Sequence, residues 1–275
     1  MRCKYSLLLI IAVVLFSCKK ENGKGNPLPS SPPPAQPVLL KEIMIPFLPS
    51  PFYHFEYNEA GKVSFISYAS GLYMYNIVYD GNKISEVKNN IVGNKDKLQY
   101  FYDNADNLST VTYADSNGLV YKKIDFSYDG QKLIQLKREG KRGAGFIMDK
   151  TMTMSYHADG NLKDLTYHYP AINGQPEHSY TDRFEQYDNK VNADGFGLIH
   201  NDFFDHLVFL PGVQLQKNNA RKVTRSGDAW NYAIDYRYTY NDHNAPLEKS
   251  GEMIVTSGPD SGKVFHLSST FSYYQ

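Results

Sequence analysis

The sequence predicts an all-β protein, an antiparallel meander of hairpin repeats that curls into a strongly curved sheet or a barrel. Two observations support this prediction. Aromatic residues make up 14% of the 275 residues, with 23 Tyr and 15 Phe against a single Trp, and tyrosine suits a pleated surface that is apolar at its base and wet at its tip. In addition, a short pattern recurs along the chain, in which alternating apolar and polar residues end in Tyr followed by Asp or Asn.

The recurring pattern is typical of a β-hairpin. A few polar residues, often with Gly, follow the Tyr-Asp or Tyr-Asn step, and a second strand then starts with an aliphatic residue. Asp, Asn and Gly accept positive φ angles, and Asx side chains bond their own backbone in turns, so this chemistry favours tight connections. Consecutive hairpins give a meander, and curling or closing it removes exposed strand edges. The clearest copies contain Tyr57, Tyr79, Tyr102, Tyr128, Tyr156 and Tyr240.

One segment departs from the pattern and predicts a short helix near residues 202–210. Its apolar residues lie at helical spacing: Phe203, Phe204, Leu207 and Val208. Asn201 can cap the start, and Pro211 follows the end. Such a helix could plug one end of a barrel or pack on a sheet face, and the sequence does not choose between these.

Residues 1–17 have the features of a secretory signal peptide. Two basic residues precede an apolar run from Leu7 to Phe16, which is shorter than the about 20 apolar residues of a membrane-spanning helix. The segment Leu15-Phe16-Ser17-Cys18 resembles the bacterial lipobox. We therefore expect cleavage before Cys18 and lipid on that cysteine, which makes the membrane a partner. The alternative is an ordinary signal peptide with an incidental cysteine.

Residues 18–37 are expected to be a lipid-anchored, proline-rich linker. Six prolines and two glycines between Lys19 and Pro37 leave too little apolar surface for folding. Residues 38–275 would then form a single β-repeat domain, although length alone also allows two smaller ones. The expected location is the outer membrane, with the domain on either the periplasmic or the cell-surface side.

The Tyr-Asp steps also suggest relatives. Four of them resemble the YD repeats of Rhs-type proteins: Tyr79-Asp80, Tyr102-Asp103, Tyr128-Asp129 and Tyr187-Asp188. Together with the lipoprotein signal and the late Tyr238-Thr239-Tyr240-Asn241, they look like an uncharacterised lipoprotein family of the Bacteroidota whose domain has been described as porin-like. The resemblance implies a β-rich fold and brings no catalytic residue with it.

An aromatic stripe is the candidate binding surface. Trp230, Tyr232 and Tyr236 are spaced evenly, with Tyr238 and Tyr240 after them, so they share one face of a strand. An exposed stripe would stack on sugar rings or on a partner protein, whereas a buried one would belong to the core.

No constellation predicts catalysis, a metal site or a cofactor. His200, Asp202, Asp205 and His206 lie close together, but on a helix the two histidines point to different faces. The sequence contains no serine-nucleophile elbow and no phosphate-binding loop. A formal net charge of 0 argues against nucleic acid as a partner.

The sequence therefore predicts a non-enzymatic outer-membrane lipoprotein that binds a glycan or an envelope protein, or serves as a scaffold. The alternative is a hydrolase acting on envelope or extracellular polymers, which would require two acidic side chains converging in a cleft. A pore is a third possibility, but charges such as Lys83, Glu86 and Lys88 interrupt the apolar outer band that membrane strands need.

Overall fold

Antiparallel strands close into a barrel in the computed structural model, which describes residues 38–172, 174–200, 207 and 209–275. Within these residues there are sixteen strands: β1 (Leu40–Met44), β2 (Tyr53–Tyr57), β3 (Val63–Tyr68), β4 (Tyr73–Asp80), β5 (Lys83–Asn89), β6 (Lys97–Tyr102), β7 (Leu108–Ala114), β8 (Val120–Asp129), β9 (Lys132–Arg142), β10 (Gly145–Tyr156), β11 (Leu162–Tyr169), β12 (His178–Tyr187), β13 (Ala220–Gly227), β14 (Tyr232–Tyr240), β15 (Pro246–Val255) and β16 (Val264–Tyr273). Each strand pairs with its neighbours in sequence, and β1 pairs with β16. The predicted meander is thus confirmed in its closed form.

Strand pairing confirms the six predicted hairpins. Each hairpin tyrosine lies opposite the first residues of the next strand, in the pairs Tyr57 with Val63, Tyr79 with Ile84, Tyr102 with Leu108, Tyr128 with Leu133, Tyr156 with Leu162, and Tyr240 with Pro246. At three of these hairpins the Asx residue after the tyrosine (Asn58, Asp103 or Asn241) accepts main-chain N–H groups of the turn, as at Asn58, whose Oδ1 accepts those of Ala60 and Lys62 at 3.0 and 3.1 Å. These bonds are the local turn chemistry that the repeat predicts.

The tyrosines also join neighbouring strands at one end of the barrel, here called the Tyr end. A tyrosine near the end of each even-numbered strand donates its hydroxyl to a main-chain carbonyl near the start of the preceding strand, for example Tyr128 to Leu108 at 3.0 Å and Tyr156 to Leu133 at 2.6 Å. Burial raises the pKa of both tyrosines to about 12, so the hydroxyls remain protonated donors at physiological pH. The opposite end, where the odd-numbered strands finish, is called the loop end.

The change Tyr156→Phe tests this bond. We expect it to lower the free energy of unfolding by about 1 kcal/mol, because it removes one hydrogen bond and little volume. The measurement is urea denaturation followed by circular dichroism. The control Thr153→Ala changes an exposed position of the same strand, and equal stability of Tyr156→Phe and the wild type would contradict the assigned role.

The wall is mainly apolar inside and charged outside. On β10, for example, Met152 and Met154 are buried in the core, whereas Thr153 between them and Ser155 after them are exposed. Lys150 on the same inner face is also buried, with its ammonium group 5.5 Å from the centre of the Tyr167 ring. Outward side chains of neighbouring strands form ion pairs: Lys97 with Glu86 at 2.8 Å, Lys123 with Asp125 at 2.8 Å, and Arg183 with Asp164 at 2.7 Å. The hydrophobic core of this fold therefore lies in the barrel lumen.

The connection between β12 and β13 enters the lumen, and its described residues between 188 and 219 are called the plug. Within the part of the chain that the structure describes, the only α-helix is α1 (Gly197–His200), one turn in this segment. The plug is held to the wall by a hydrogen bond between Tyr53 Oη and His200 Nδ1 at 2.8 Å and by one from Tyr167 Oη to the Leu198 carbonyl at 3.3 Å.

The predicted single short helix is present as α1, which adjoins the predicted span. Within that span of residues 202–210, residues 202–206 and 208 lie outside the described residues. The described residues Leu207, Phe209 and Leu210 are not helical. The segment does occupy the barrel interior, which is the plugging alternative. No helix among the described residues has the length and apolarity to cross a bilayer.

Candidate functional site: a cavity in the barrel lumen

A cavity of about 870 Å³ lies between the plug and the wall, within the range of roughly 300–1,000 Å³ that suits a small ligand. It is lined by plug residues Asp194, Phe196, Gly197, Leu198 and Gln216, by Ile43, Ile45 and Tyr53, and by the strand segments 235–237, 249–252 and 266–269. It reaches Pro46 and Phe47 in the loop after β1. Because Phe47 is completely exposed, the cavity communicates with solvent at the loop end.

Small residues in the wall explain why a cavity forms here. Across β14, β15 and β16, Gly251 lies between Tyr236 and Leu267, and Ser269 lies opposite Lys249. A Cβ atom on Gly251 would lie 2.7 Å from Cδ1 of Tyr236, closer than real contacts allow. Glycine at this position thus lets the Tyr236 ring lie against the neighbouring strand and leaves lumen volume unfilled.

An ion pair connects the plug to the wall beside the cavity. Lys249 Nζ lies 2.8 Å from a carboxylate oxygen of Asp194 and 4.5 Å from the centre of the Tyr236 ring. Burial lowers the pKa of Lys249, but Asp194 and the neighbouring tyrosines raise it by more, so the pKa lies above its ordinary value. The lysine is therefore a permanent cation, and the pair fixes where the plug meets β15.

A smaller cavity of about 140 Å³ adjoins the first and contains a second ion pair. Arg225 donates two hydrogen bonds to the Asp182 carboxylate, from Nε at 2.7 Å and from Nη2 at 2.6 Å. The guanidinium carbon lies 4.3 Å from the Tyr180 ring centre and 4.9 Å from that of Tyr232. Both cavities share the lining residues Gly197, Leu198, Gln216, Tyr236 and Lys249.

The two pairs make the cavity polar, and each pair is neutral as a unit. Each cation, Lys249 or Arg225, faces one carboxylate in a close ion pair. Burial raises the pKa of Tyr232, and it raises that of Tyr236 as well, so both hydroxyls stay neutral. The arrangement can supply aromatic faces and hydrogen bonds to a bound molecule.

The structure places the predicted aromatic stripe at two locations. Trp230 precedes β14, is 45% exposed, and contacts Tyr232 and Phe265 with ring centres 6.3 and 5.6 Å away. Tyr232 and Tyr236 share the face of buried Ile234 and line the lumen cavities. The even spacing predicted their common face, and that face points inward.

The position of five residues at the lumen cavities was not predicted from the sequence: Asp182, Asp194, Arg225, Lys249 and Gly251. A signal exists for Arg225, which shares the inward face of its strand with buried Val223. A charge at such a position indicates a buried partner.

Two sites considered from the sequence, the lipidation site Cys18 and the His and Asp cluster at residues 200–206, lie wholly or largely outside the described residues. Cys18 lies outside the described residues, as do Asp202, Asp205 and His206 of the declined metal cluster. Among the residues that the structure does describe, no group of three or more His, Cys, Asp or Glu could hold a metal ion. His200 instead bonds Tyr53 in the plug.

Comparison with known proteins supports the fold. No protein-family profile matches the chain, and no curated protein sequence matches it. Among solved structures, it is similar to a porin-like protein from Bacteroides uniformis ATCC 8492, with a TM-score of 0.58 and 14% identity over 86% of this chain and 95% of that one. A porin-like protein from Bacteroides vulgatus ATCC 8482 gives a TM-score of 0.56 and 14% identity, over 86% and 99%. The predicted porin-like fold is thereby confirmed.

The side chains are arranged oppositely to those of a transmembrane barrel. Such a barrel has an apolar outer band about 25 Å tall and a polar interior. Here the outer wall carries ion pairs such as Lys97 with Glu86, and the lumen holds the hydrophobic core. The likeness to the two porin-like proteins therefore concerns the arrangement of the strands. The outer face of the described strands is compatible with water.

Proposed function

We propose that the protein is a non-enzymatic lipoprotein of the outer membrane that binds a ligand inside its barrel. This proposal is supported by the cavity beside the plug, which is lined by Tyr236, Lys249 and Asp194 and reaches solvent near Phe47. Around it, the described core consists mainly of tightly buried aliphatic and aromatic side chains. A cavity maintained by Gly251 within such a core is suited to occupation by a ligand.

The charges in the lumen favour binding over hydrolysis. A glycoside hydrolase needs two carboxyl groups about 5 to 10 Å apart, in acid and base or nucleophile roles. In the described lumen, Asp194 is held by Lys249 and Asp182 by Arg225. Because each carboxylate is already engaged in a close ion pair, this geometry does not support the hydrolase alternative.

A cavity-blocking pair of variants tests ligand binding. Ser269 faces the lumen opposite Lys249, and Thr270 beside it is exposed on the outer face of the same strand, outside the cavity lining. The lipidated full-length protein is incubated with small-molecule fractions of cell envelope and growth medium, and binding is detected by native mass spectrometry and thermal shift. We expect wild type and Thr270→Leu to retain a ligand that Ser269→Leu loses. Binding by no fraction, or equal binding by Ser269→Leu, would contradict the proposal.

The anchor is tested separately at the cysteines. Cys18→Ala is expected to move essentially all of the protein from the membrane fraction to the supernatant, because the acyl chains provide the attachment. Cys3→Ala, within the signal peptide, should leave the protein in the membrane fraction. Immunoblots of the two fractions provide the readout, and membrane retention of Cys18→Ala would refute lipid anchoring there. Protease treatment of intact cells then distinguishes the surface from the periplasmic side.

A further inference from the structure

We infer that the lumen cavity binds a neutral oligosaccharide, an inference that rests on the proposed function and specifies its ligand. Three properties of the site support it: an aromatic platform, a mixture of donors and acceptors, and two buried cations that are each paired with a carboxylate. No one of these identifies a sugar alone, but their combination matches a molecule with apolar C–H faces, many hydroxyls and no charge.

The aromatic platform consists of rings on opposite sides of the cavity. Tyr236 lines it from the wall, where its ring lies against Gly251 of the neighbouring strand. Tyr53 and Phe196 line it near the plug, with ring centres 5.2 Å apart in an edge-to-face contact. Sugar rings pack their C–H faces on such rings, which combine apolar area with little conformational entropy.

The polar groups around these rings can both donate and accept. Lys249 donates, Asp194 accepts, and the Gln216 amide does both. The hydroxyl of Ser269 adds a further donor and acceptor. Sugar hydroxyls also donate and accept, and hydrogen bonds to charged groups are stronger than neutral ones.

Charge compensation argues against an acidic or basic ligand. An anion near Lys249 would compete with Asp194, which is 2.8 Å away, and displacing that carboxylate would leave it uncompensated in the lumen. The closed barrel also argues against a peptide strand, because each of the sixteen described strands is paired on both sides and peptide addition needs a free edge. A neutral hydroxylated molecule meets neither obstacle.

The test uses the lipidated full-length protein in detergent micelles. The probes are arrayed neutral oligosaccharides of two to four hexose or pentose units, each beside an acidic counterpart containing uronic acid. Any hit is measured by isothermal titration calorimetry for wild type, Tyr236→Ala, Ser269→Leu and the outward-facing control Thr270→Leu, which lies outside the cavity lining. We expect neutral sugars to bind, with affinity falling about tenfold or more in the two lumen variants and unchanged in the control.

The possible outcomes separate this inference from the proposed function. Preference for acidic sugars, or a ligand from the envelope or medium fractions that is lost in Ser269→Leu but contains no sugar, overturns the inference and leaves lumen binding intact. Absence of both sugar binding and any fraction-derived ligand refutes both. If Tyr236→Ala does not fold, Ser269→Leu with its Thr270→Leu control provides the same comparison.

Discussion

Replacing Met152 by Lys is expected to prevent the barrel from folding, at a cost of about 4 kcal/mol or more. Met152 is 1% exposed on the inner face of β10, so the new ammonium group would lose its hydration among apolar neighbours. A loss of this size is a large part of the stability of an ordinary domain. The measurements are the yield of folded protein and its thermal unfolding by circular dichroism.

The neighbouring outward position provides the matched control. Thr153→Lys places the same charge on the exposed face of the same strand, and we expect a change within about 0.5 kcal/mol. In a transmembrane barrel the effects would be reversed, because charge on the lipid face costs about 2–4 kcal/mol while the lumen tolerates it. If Met152→Lys folds normally and Thr153→Lys does not fold, the assignment of the inner and outer faces is wrong.

Replacing Lys249, the cation that holds the plug, is also expected to lower the free energy of unfolding strongly. Lys249→Met leaves Asp194 without its partner at 2.8 Å, and loss of one member of a buried pair costs about 3–5 kcal/mol. About a fifth of each side chain is accessible, and both line the cavity, so water there should reduce the cost to about 2–4 kcal/mol. Urea denaturation of the variant measures it.

A double variant and a surface control test the explanation. Lys249→Met combined with Asp194→Leu removes both charges and should recover part of the lost stability, because no uncompensated charge remains. Lys88→Met removes a surface partner of Glu86 at 2.9 Å and should cost at most about 1 kcal/mol. Equal effects of Lys249→Met and Lys88→Met would show that the lumen pair does not hold the plug.

The sequence predicted the hairpins because their information is local. The turn at Asn58, for example, is held by contacts to Ala60 and Lys62. Local patterns do not distinguish a curved sheet from a closed barrel, because closure depends on the pairing of β1 with β16 at the two ends of the domain. The repeated use of Tyr rather than Phe also has a non-local cause, because its hydroxyl bonds the preceding strand, as Tyr128 bonds Leu108.

The candidate site could be predicted only in part. The even spacing from Tyr232 to Tyr240 correctly placed these rings on one face, but periodicity cannot say whether that face points to solvent or to the lumen. The cavity depends on Gly251 facing Tyr236 across two strands, and the plug is fixed where Asp194 meets Lys249. Such contacts join residues that only the folded barrel brings together.

The outer wall of this porin-like barrel carries ion pairs and the core lies in the lumen, so we expect the barrel to remain folded in water. The direct test is purification of residues 38–275 in buffer free of detergent, followed by size-exclusion chromatography and circular dichroism. We expect a folded β-rich protein that stays dispersed and unfolds cooperatively on heating. Aggregation in buffer with recovery of the fold only in detergent would contradict this expectation.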